Sequence, residues 1–547
     1  MGTRRALRGF AILLTAACLV AACDDLTAIR DYIQRTWTVL LRSNAALVES
    51  AADLKVSQQG RVILYVPQGE DLAEIARSHP DVEVRRPPQA GEPAEPGLLY
   101  LPHPYVVPGG RFNEMYGWDS YFILLGLLAD GKVQLAKNMT DNLVYEVTHY
   151  GKVLNANRTY YLNRSQPPFL TRMILEVFVR TGDKAWLAGT LPAIDRYYAY
   201  WTREPHLTPS TGLSRYYGGA DTPAPEVVHG ERDASGRSHY DRVREYYRTH
   251  SVAAYDVRKY YDRANNRLTR LFYLADRAMR ESGFDSSARF GPFSAGILDY
   301  NPVDLNSLLY RMEADAAAIH TLLGQPRKAR IWALRAEKRA KAINRWMWDE
   351  NAGLYFDYNF KRRCRSGYPF LTAFYPLWAG IASPAQAAGV AANLHLFERA
   401  GGLQTSARVT GEQWDAPFGW APLQIIATQG LRRYGFTEAA DRIGSRFLFM
   451  VLRDFRDHGT IKEKYNVVTA SSDVAGIRFG YDSNETGFGW TNAAFLVIYN
   501  DLSFCARRQF IAACESGAGA WARGGTPVVP VCARRHTSFR ESLMLRC

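Results

Sequence analysis

Apolar residues recur at helical spacing along most of this chain. The first amphipathic segment spans 26–52. From 120 onward the periodicity gives twelve helical segments. They pair in chain order as 120–128 with 133–149, 169–180 with 184–201, 264–282 with 306–323, 328–348 with 369–381, 384–396 with 422–434, and 438–453 with 487–500. Gly, Pro, Asn and Asp fill the connections. Strand-like alternation is brief, as at 61–66. Twelve helices in hairpins bury their apolar faces best as two concentric rings, so the expected fold is all-α, an (α/α)6 toroid with long loops. A superhelical repeat array is the rival, but no repeat of fixed length appears.

Three stretches fall outside this pattern. Residues 209–251 are charged, rich in Tyr and poor in apolar runs, and read as an excursion over one end of the barrel, of a length that carries function or forms a lid. At the start, Arg4, Arg5 and Arg8 precede an apolar run over 10–20, the pattern of an export leader covering 1–22. The run is short for a membrane span. It ends Leu19-Val20-Ala21-Ala22-Cys23, which resembles a bacterial lipobox with Cys23 as the lipidated residue; plain cleavage near Ala22 is the alternative. The expectation is therefore an exported protein, periplasmic or membrane-anchored through Cys23. The toroid is expected over 26–502. Residues 503–547 are expected to form an appended, poorly ordered tail, where Cys505, Cys514, Cys532 and Cys547 would be available for disulfides in an oxidising compartment.

Composition narrows the function. Hydrophobic residues make up 47% and charged residues 22%, which excludes a mostly disordered chain. Aromatics reach 13%, which suits a ring-lined cleft and a rich core equally. The formal charge of +13 is concentrated at the two ends, with seven Arg against two Glu in the tail. No Lys/Arg stripe interleaved with aromatics appears, so nucleic acid is not an expected partner. Gly-x-Ser-x-Gly, Gly-rich phosphate loops, HExxH and CxxC are absent, which leaves serine-hydrolase, nucleotide and zinc chemistry unsupported.

Four segments concentrate Trp, Tyr, Arg, Asn, Gln and carboxylates outside helical periodicity. The first, 108–121, contains Gly109-Gly110-Arg111-Phe112-Asn113-Glu114-Met115-Tyr116-Gly117-Trp118-Asp119. The second runs from Asn155 through Arg164-Ser165-Gln166-Pro167-Pro168, and the third is Gly411-Glu412-Gln413-Trp414-Asp415-Ala416-Pro417-Phe418-Gly419-Trp420. The fourth is 477–492. Rings stack on sugar faces, while Arg and Asp hold hydroxyls through charge-assisted hydrogen bonds. An ion-paired helix start or loop packing would use the same residue types.

These residues resemble the trehalase family, glycoside hydrolase family 37. Segments one and three are similar to its two signature motifs. The likeness extends through Arg164-Ser165-Gln166-Pro167-Pro168, Glu281-Ser282-Gly283-Phe284-Asp285-Ser286-Ser287, Glu463-Lys464-Tyr465-Asn466 and Phe488-Gly489-Trp490-Thr491-Asn492, from about Asp31 to Asn500. By resemblance the chain is a divergent bacterial member. The resemblance implies an (α/α)6 toroid and inverting hydrolysis of α,α-trehalose to two glucoses, with no metal or other cofactor. It places the general acid on Asp285 and the general base on Glu463. It places sugar-gripping residues on Arg111, Phe112, Tyr116, Trp118, Asp119, Asn155, Arg164, Gln166, Glu226, Trp414 and Asp415. The partner implied is a small carbohydrate, and the expected state is a monomer. Two departures stand out. Pro223-Ala224-Pro225-Glu226 lacks the Arg of the family's Pro-Arg-Pro-Glu, and 477–485 replaces a Gly-rich loop bearing Gly-Glu-Tyr. A cation and an anion are lost together, which puts strict trehalose specificity in doubt; Arg478 and Glu485 are candidates to replace them.

The chemistry is consistent with that assignment. An acetal needs an acid to protonate its leaving oxygen and an opposed carboxylate to activate water, with the carboxyls roughly 6.5–9.5 Å apart for inversion. Gly283 and Phe284 precede Asp285, so partial desolvation would keep it protonated, while Lys462 and Lys464 would keep Glu463 ionised. Read alone, Asp285 also suits a cap towards Ser287, and Glu463 a solvated Lys/Glu face. The other readings are an inverting α-glucosidase acting on another small glucoside, and a non-catalytic sugar-binding lipoprotein.

Overall fold

The segments that are apolar all round become the innermost helices. Asp119–Ala129 buries nine of its eleven residues, and Gly489–Asp501 is buried from Gly489 to Ile498. A helix enclosed on every side has no use for a polar stripe. The computed structural model of the chain describes residues 24–56, 62–88, 95–233 and 235–515. Within it, Asp119–Ala129, Leu170–Thr181, Val303–Leu322, Tyr375–Ala379, Ala421–Arg433 and Gly489–Asp501 each pack on the next, and the last packs on the first. This closed inner ring is wrapped by Asp24–Val39, Val133–Tyr150, Leu191–Trp201, Pro326–Trp346, Pro384–Ala392 and Thr437–His458. Outer helices bury one stripe only. Pro326–Trp346 buries Trp332, Ala336, Arg339 and Ile343, spaced four, three and four apart. The fold is an (α/α)6 toroid.

The hairpin pairing needs correcting after the second pair. Val303–Leu322 pairs with Pro326–Trp346, not with the helix before it, and each later pair shifts by one helix. The helix expected over 264–282 is Arg270–Glu281, entered from a short hairpin of Tyr261–Asp262 and Arg267–Leu268. It packs on 3-10 turns at Pro292–Ser294 and Ile297–Asp299 and belongs to the excursion. Its buried residues include Asp276, Arg277, Arg280 and Glu281, a polar set that suits a cavity wall and not an apolar ring. The outer place it vacates goes to Asp24–Val39, which packs on both Thr437–His458 and Gly489–Asp501.

Other boundaries differ for local reasons. The helix expected over 26–52 stops at Val39, and Leu41–Arg42 then pairs antiparallel with Tyr105–Val106. The segment 184–201 breaks into Lys184–Gly189 and Leu191–Trp201, with Pro192 in the first turn of the second. The strand expected at 61–66 is Ile63–Tyr65. It lies parallel between Glu83–Arg85 and Leu98–Leu99, two strands that short alternation did not reveal. The excursion holds two further helices, Pro225–Gly230 and His239–Thr249. The expected tail opens as a helix, Phe504–Glu515, packed on Thr437–His458 with Phe510 buried. The leader with Cys23, and Cys532 and Cys547, lie outside the described residues.

Candidate active site

Loops preceding several inner helices converge on one cavity. In the first, Gly109 and Gly110 adopt φ of +119° and +55°, a backbone that favours glycine. A Cβ on Gly110 would lie 2.0 Å from Glu485 Oε2, so the 477–485 loop closes directly against this turn. Arg111, Phe112, Tyr116, Trp118 and Asp119 follow and line the cavity. Glu114 turns away into a buried ion-pair cluster, 2.6 Å from Lys55 Nζ and 2.9 Å from Arg158 Nε, which braces the loop from behind. The second loop supplies Asn155, Arg164 and Gln166. Gln166 Oε1 accepts a hydrogen bond from the Trp118 backbone N–H at 2.9 Å, tying the two loops together. The excursion supplies Glu226, 2.5 Å from Arg164 Nη2.

Asp285 sits beyond the left-handed Gly283, where a Cβ would press within 2.9 Å of the Trp118 ring. The Asp285 side chain is 30% exposed, facing the cavity, with Arg280 Nη1 3.3 Å from Oδ2. Burial pushes its carboxyl up to about 7, although Arg280 opposes the rise. Glu463 lies on the same cavity from the far side of the sequence. It is 1% exposed, which removes the solvated-face reading. Its backbone carbonyl accepts from Trp490 Nε1 at 3.1 Å, and the strand that follows it, Lys464–Asn466, pairs with Phe418–Trp420. Burial raises its carboxyl too, against the Lys464 ammonium 3.5 Å from Oε2 and the Tyr481 hydroxyl on Oε1.

Two other carboxyls behave differently. Burial would raise Glu226 and Glu231, but the guanidinium groups of Arg164, Arg277 and Arg280 around Glu226, and Arg280 beside Glu231, hold both below the ordinary range. Asp119 is pushed well above it by burial and by the nearby charges of Glu463 and Asp285. Burial thus raises Asp119, Asp285 and Glu463, whereas pairing with Arg lowers Glu226 and Glu231. At Glu463 the Lys464 ammonium and the Tyr481 hydroxyl oppose the rise without reversing it, unlike the expectation that flanking lysines would hold it low. Among the described residues no group of three or more His, Cys, Asp and Glu is placed to hold a metal.

Ten of the expected sugar-gripping residues line the cavity; Asp415 does not. Trp414 faces in and stacks on Trp420 at 3.9 Å, while its neighbour points back. Asp415 accepts hydrogen bonds from the Ala288 backbone N–H (2.8 Å), Thr410 Oγ1 (2.7 Å) and Tyr368 OH (2.9 Å). It fixes the segment carrying Asp285 and does not line this cavity. The expected replacement of the missing cation by Arg478 also fails, since that side chain is exposed and lies against Gly411. Ala224 is fully buried. Arg280 brings a cation to the cavity wall, bonded to Glu231 through Nη1 (2.8 Å) and Nη2 (3.4 Å). Lys55, Glu231, Arg280, Gln413, Tyr481 and Trp490 also line the cavity without having been singled out as site residues, as do Tyr161, Gly283 and Phe488. A signal existed for Arg280. Its i, i+4 pairing with Asp276 on a strongly amphipathic helix, just before the Ser-Gly-Phe-Asp motif, placed charge where an outer helix needs an apolar stripe.

Fold and cavity define an (α/α)6 glycoside hydrolase. The family model described as "Trehalase" matches residues 71–503, and the chain belongs to the trehalase family. It is 40% identical to a cytosolic neutral trehalase of Pyricularia oryzae, over 86% of this chain and 72% of that protein. With the cytosolic neutral trehalase of Saccharomyces cerevisiae the identity is 38%, over 74% of this chain and 58% of that one. The solved structure of neutral trehalase Nth1 from Saccharomyces cerevisiae superposes with a TM-score of 0.74 at 32% identity, covering 90% of this chain and 96% of the other. These relatives overturn the expectation of an exported or lipid-anchored protein. They are named as cytosolic enzymes.

Proposed function

We propose that this cavity hydrolyses α,α-trehalose to two glucose molecules with inversion, Asp285 acting as general acid and Glu463 as general base. Asp285 gives its proton to the glycosidic oxygen as the C1–O bond breaks. A water attacks C1 from the opposite face and loses a proton to Glu463, so one water is consumed and two glucoses leave. The observation that carries this reading is the pairing itself: two carboxyls from segments far apart in sequence line one ring-walled cavity, one of them retaining its proton up to about pH 7. Asp119 and the Arg-paired Glu226 and Glu231 suit sugar hydroxyls, and Trp118, Trp414 and Phe112 suit ring faces.

Ala224 and the altered 477–485 loop mark a divergent member and favour one second reading, an inverting hydrolase of another small α-glucoside. Incubation with trehalose and a panel of α-glucosides, with the product anomer followed by NMR, tests both. Release of one β-glucose and one α-glucose per trehalose is expected. Exclusive release of α-glucose, or no turnover of any α-glucoside, would reject the mechanism.

A further inference from the structure

The 477–485 loop is where the chain departs furthest from its family's pattern, and it brings a phenol to the carboxylate assigned as base. Tyr481 OH donates a hydrogen bond to Glu463 Oε1. Glu463 Oε2 is buried and has no hydrogen-bond partner among the described residues. The Tyr481 ring is itself held. The Lys464 ammonium stands 3.7 Å from its centroid, the Arg111 guanidinium 5.1 Å, and Phe112 meets it edge-on at 5.7 Å. The loop is tied on the side leading into Tyr481: Arg242 donates to the backbone carbonyls of Arg478 at 2.6 Å and Gly480 at 2.9 Å, and Phe479 packs on Phe293 with centroids 4.8 Å apart.

We propose that Tyr481 is a positioning residue for the general base, fixing Glu463 through Oε1 and leaving Oε2 as the oxygen that takes the proton of the attacking water. This rests on the assignment of Glu463 as base. A carboxylate tethered at one oxygen loses its torsional freedom, so the other oxygen meets the water in one geometry. Burial and the Glu463 charge push the phenol well above its ordinary range, so it remains a donor. Lys464 and Arg111 are the other groups that favour the ionised base, while Glu485 and Asp119 oppose it. The phenol adds a neutral donor at Oε1, and the Lys464 ammonium 3.5 Å from Oε2 supplies charge there without a hydrogen bond.

The test is Tyr481→Phe, which keeps the ring and deletes one hydroxyl, compared with Glu463→Gln. Loss of the donor raises the pKa of the base. The acidic limb of the kcat/KM profile therefore moves up by about one pH unit, while the alkaline limb, set by Asp285, stays in place. At pH 6, kcat falls roughly tenfold or more, and KM changes by less than about threefold. Tyr481→Leu, which also removes the ring, shows the same limb shift with an added rise in KM. An unmoved acidic limb in folded Tyr481→Phe, with Glu463→Gln inactive, overturns the role of Tyr481 alone. A Glu463→Gln enzyme with native turnover overturns the base assignment and this inference with it.

Discussion

Burial raises both Asp285 and Glu463 on one cavity, and different neighbours oppose the rise: a guanidinium at Asp285, an ammonium and a phenol at Glu463. Asp285 has one guanidinium at 3.3 Å against strong burial and rises to about 7. In the acid role proposed for it, it must be protonated, so kcat/KM is expected to decline as pH passes about 7, and Asp285→Asn and Glu463→Gln are each expected to lower kcat by roughly 10² to 10⁴ while the far-ultraviolet circular dichroism stays native. Retention of native kcat in either variant would remove that residue from the reaction. The same raised value has a consequence for stability. The folded state binds a proton at Asp285 that the unfolded chain has released above its ordinary carboxylate value, so this group costs stability progressively as pH rises towards 7 and in full above it. Asn resembles the protonated acid at every pH. The thermal midpoint of Asp285→Asn should therefore exceed that of the parent by more at pH 8 than at pH 4; an equal gap would contradict the raised value. Residue types outside helical spacing marked the four segments that supply most of this lining, while the family resemblance, not residue type, singled out Asp285, Glu463 and Glu226. Direction within a loop was not legible. Trp414 and Asp415 are neighbours, and only the backbone path shows that one faces the sugar site and the other the segment behind it.

At the scale of elements, periodicity located every helix of the two rings, since burial on one or all faces writes itself into spacing, and it missed Leu72–Ser78, Pro225–Gly230, His239–Thr249 and Phe504–Glu515. It did not locate the partner of each helix. Arg270–Glu281 has the length and amphipathicity of an outer helix, and counting it as one displaced every later pair. What distinguishes it is the chemistry of its buried face, where Arg280 reaches Asp276, Glu231 and Asp285 at once. The loop after this helix is held by Asp415, which gives a prediction at the same scale. Asp415→Ala leaves the Ala288 N–H and the Tyr368 and Thr410 hydroxyls without their acceptor in a buried setting. The expected cost is about 2–3 kcal/mol in denaturant unfolding, with kcat reduced through misplacement of Asp285. If Asp415 instead gripped the sugar, the variant would keep its stability and lose KM alone.

The toroid closes where its first and last inner helices meet, and that seam is also where distant parts of the chain reach the cavity together. Asp119 and Trp490 lie at the cavity ends of Asp119–Ala129 and Gly489–Asp501. Further along, a Cβ on Gly126 would come 2.6 Å from the Ala493 Cβ and 3.2 Å from the Trp37 ring of the outer helix Asp24–Val39. Trp37 is anchored there by its own hydrogen bond, Nε1 to Asp130 Oδ2 at 2.8 Å. Three helices thus meet over one missing methyl group, which suits a glycine in the middle of a helix despite its entropic cost. Gly126→Ala should force the two inner helices apart and cost about 1–3 kcal/mol, with activity falling because Asp119 and Trp490 separate. Ala493→Gly removes the opposing Cβ and should cost only about 1 kcal/mol by its helix propensity. If close contact is the cause, the double variant recovers part of the stability and activity lost in Gly126→Ala, since the Ala493 Cα remains 2.7 Å from the added Cβ, and a double-mutant cycle by chemical denaturation shows a favourable coupling of at least about 0.5 kcal/mol. Simple additivity would mean that the closure of the ring does not depend on this contact.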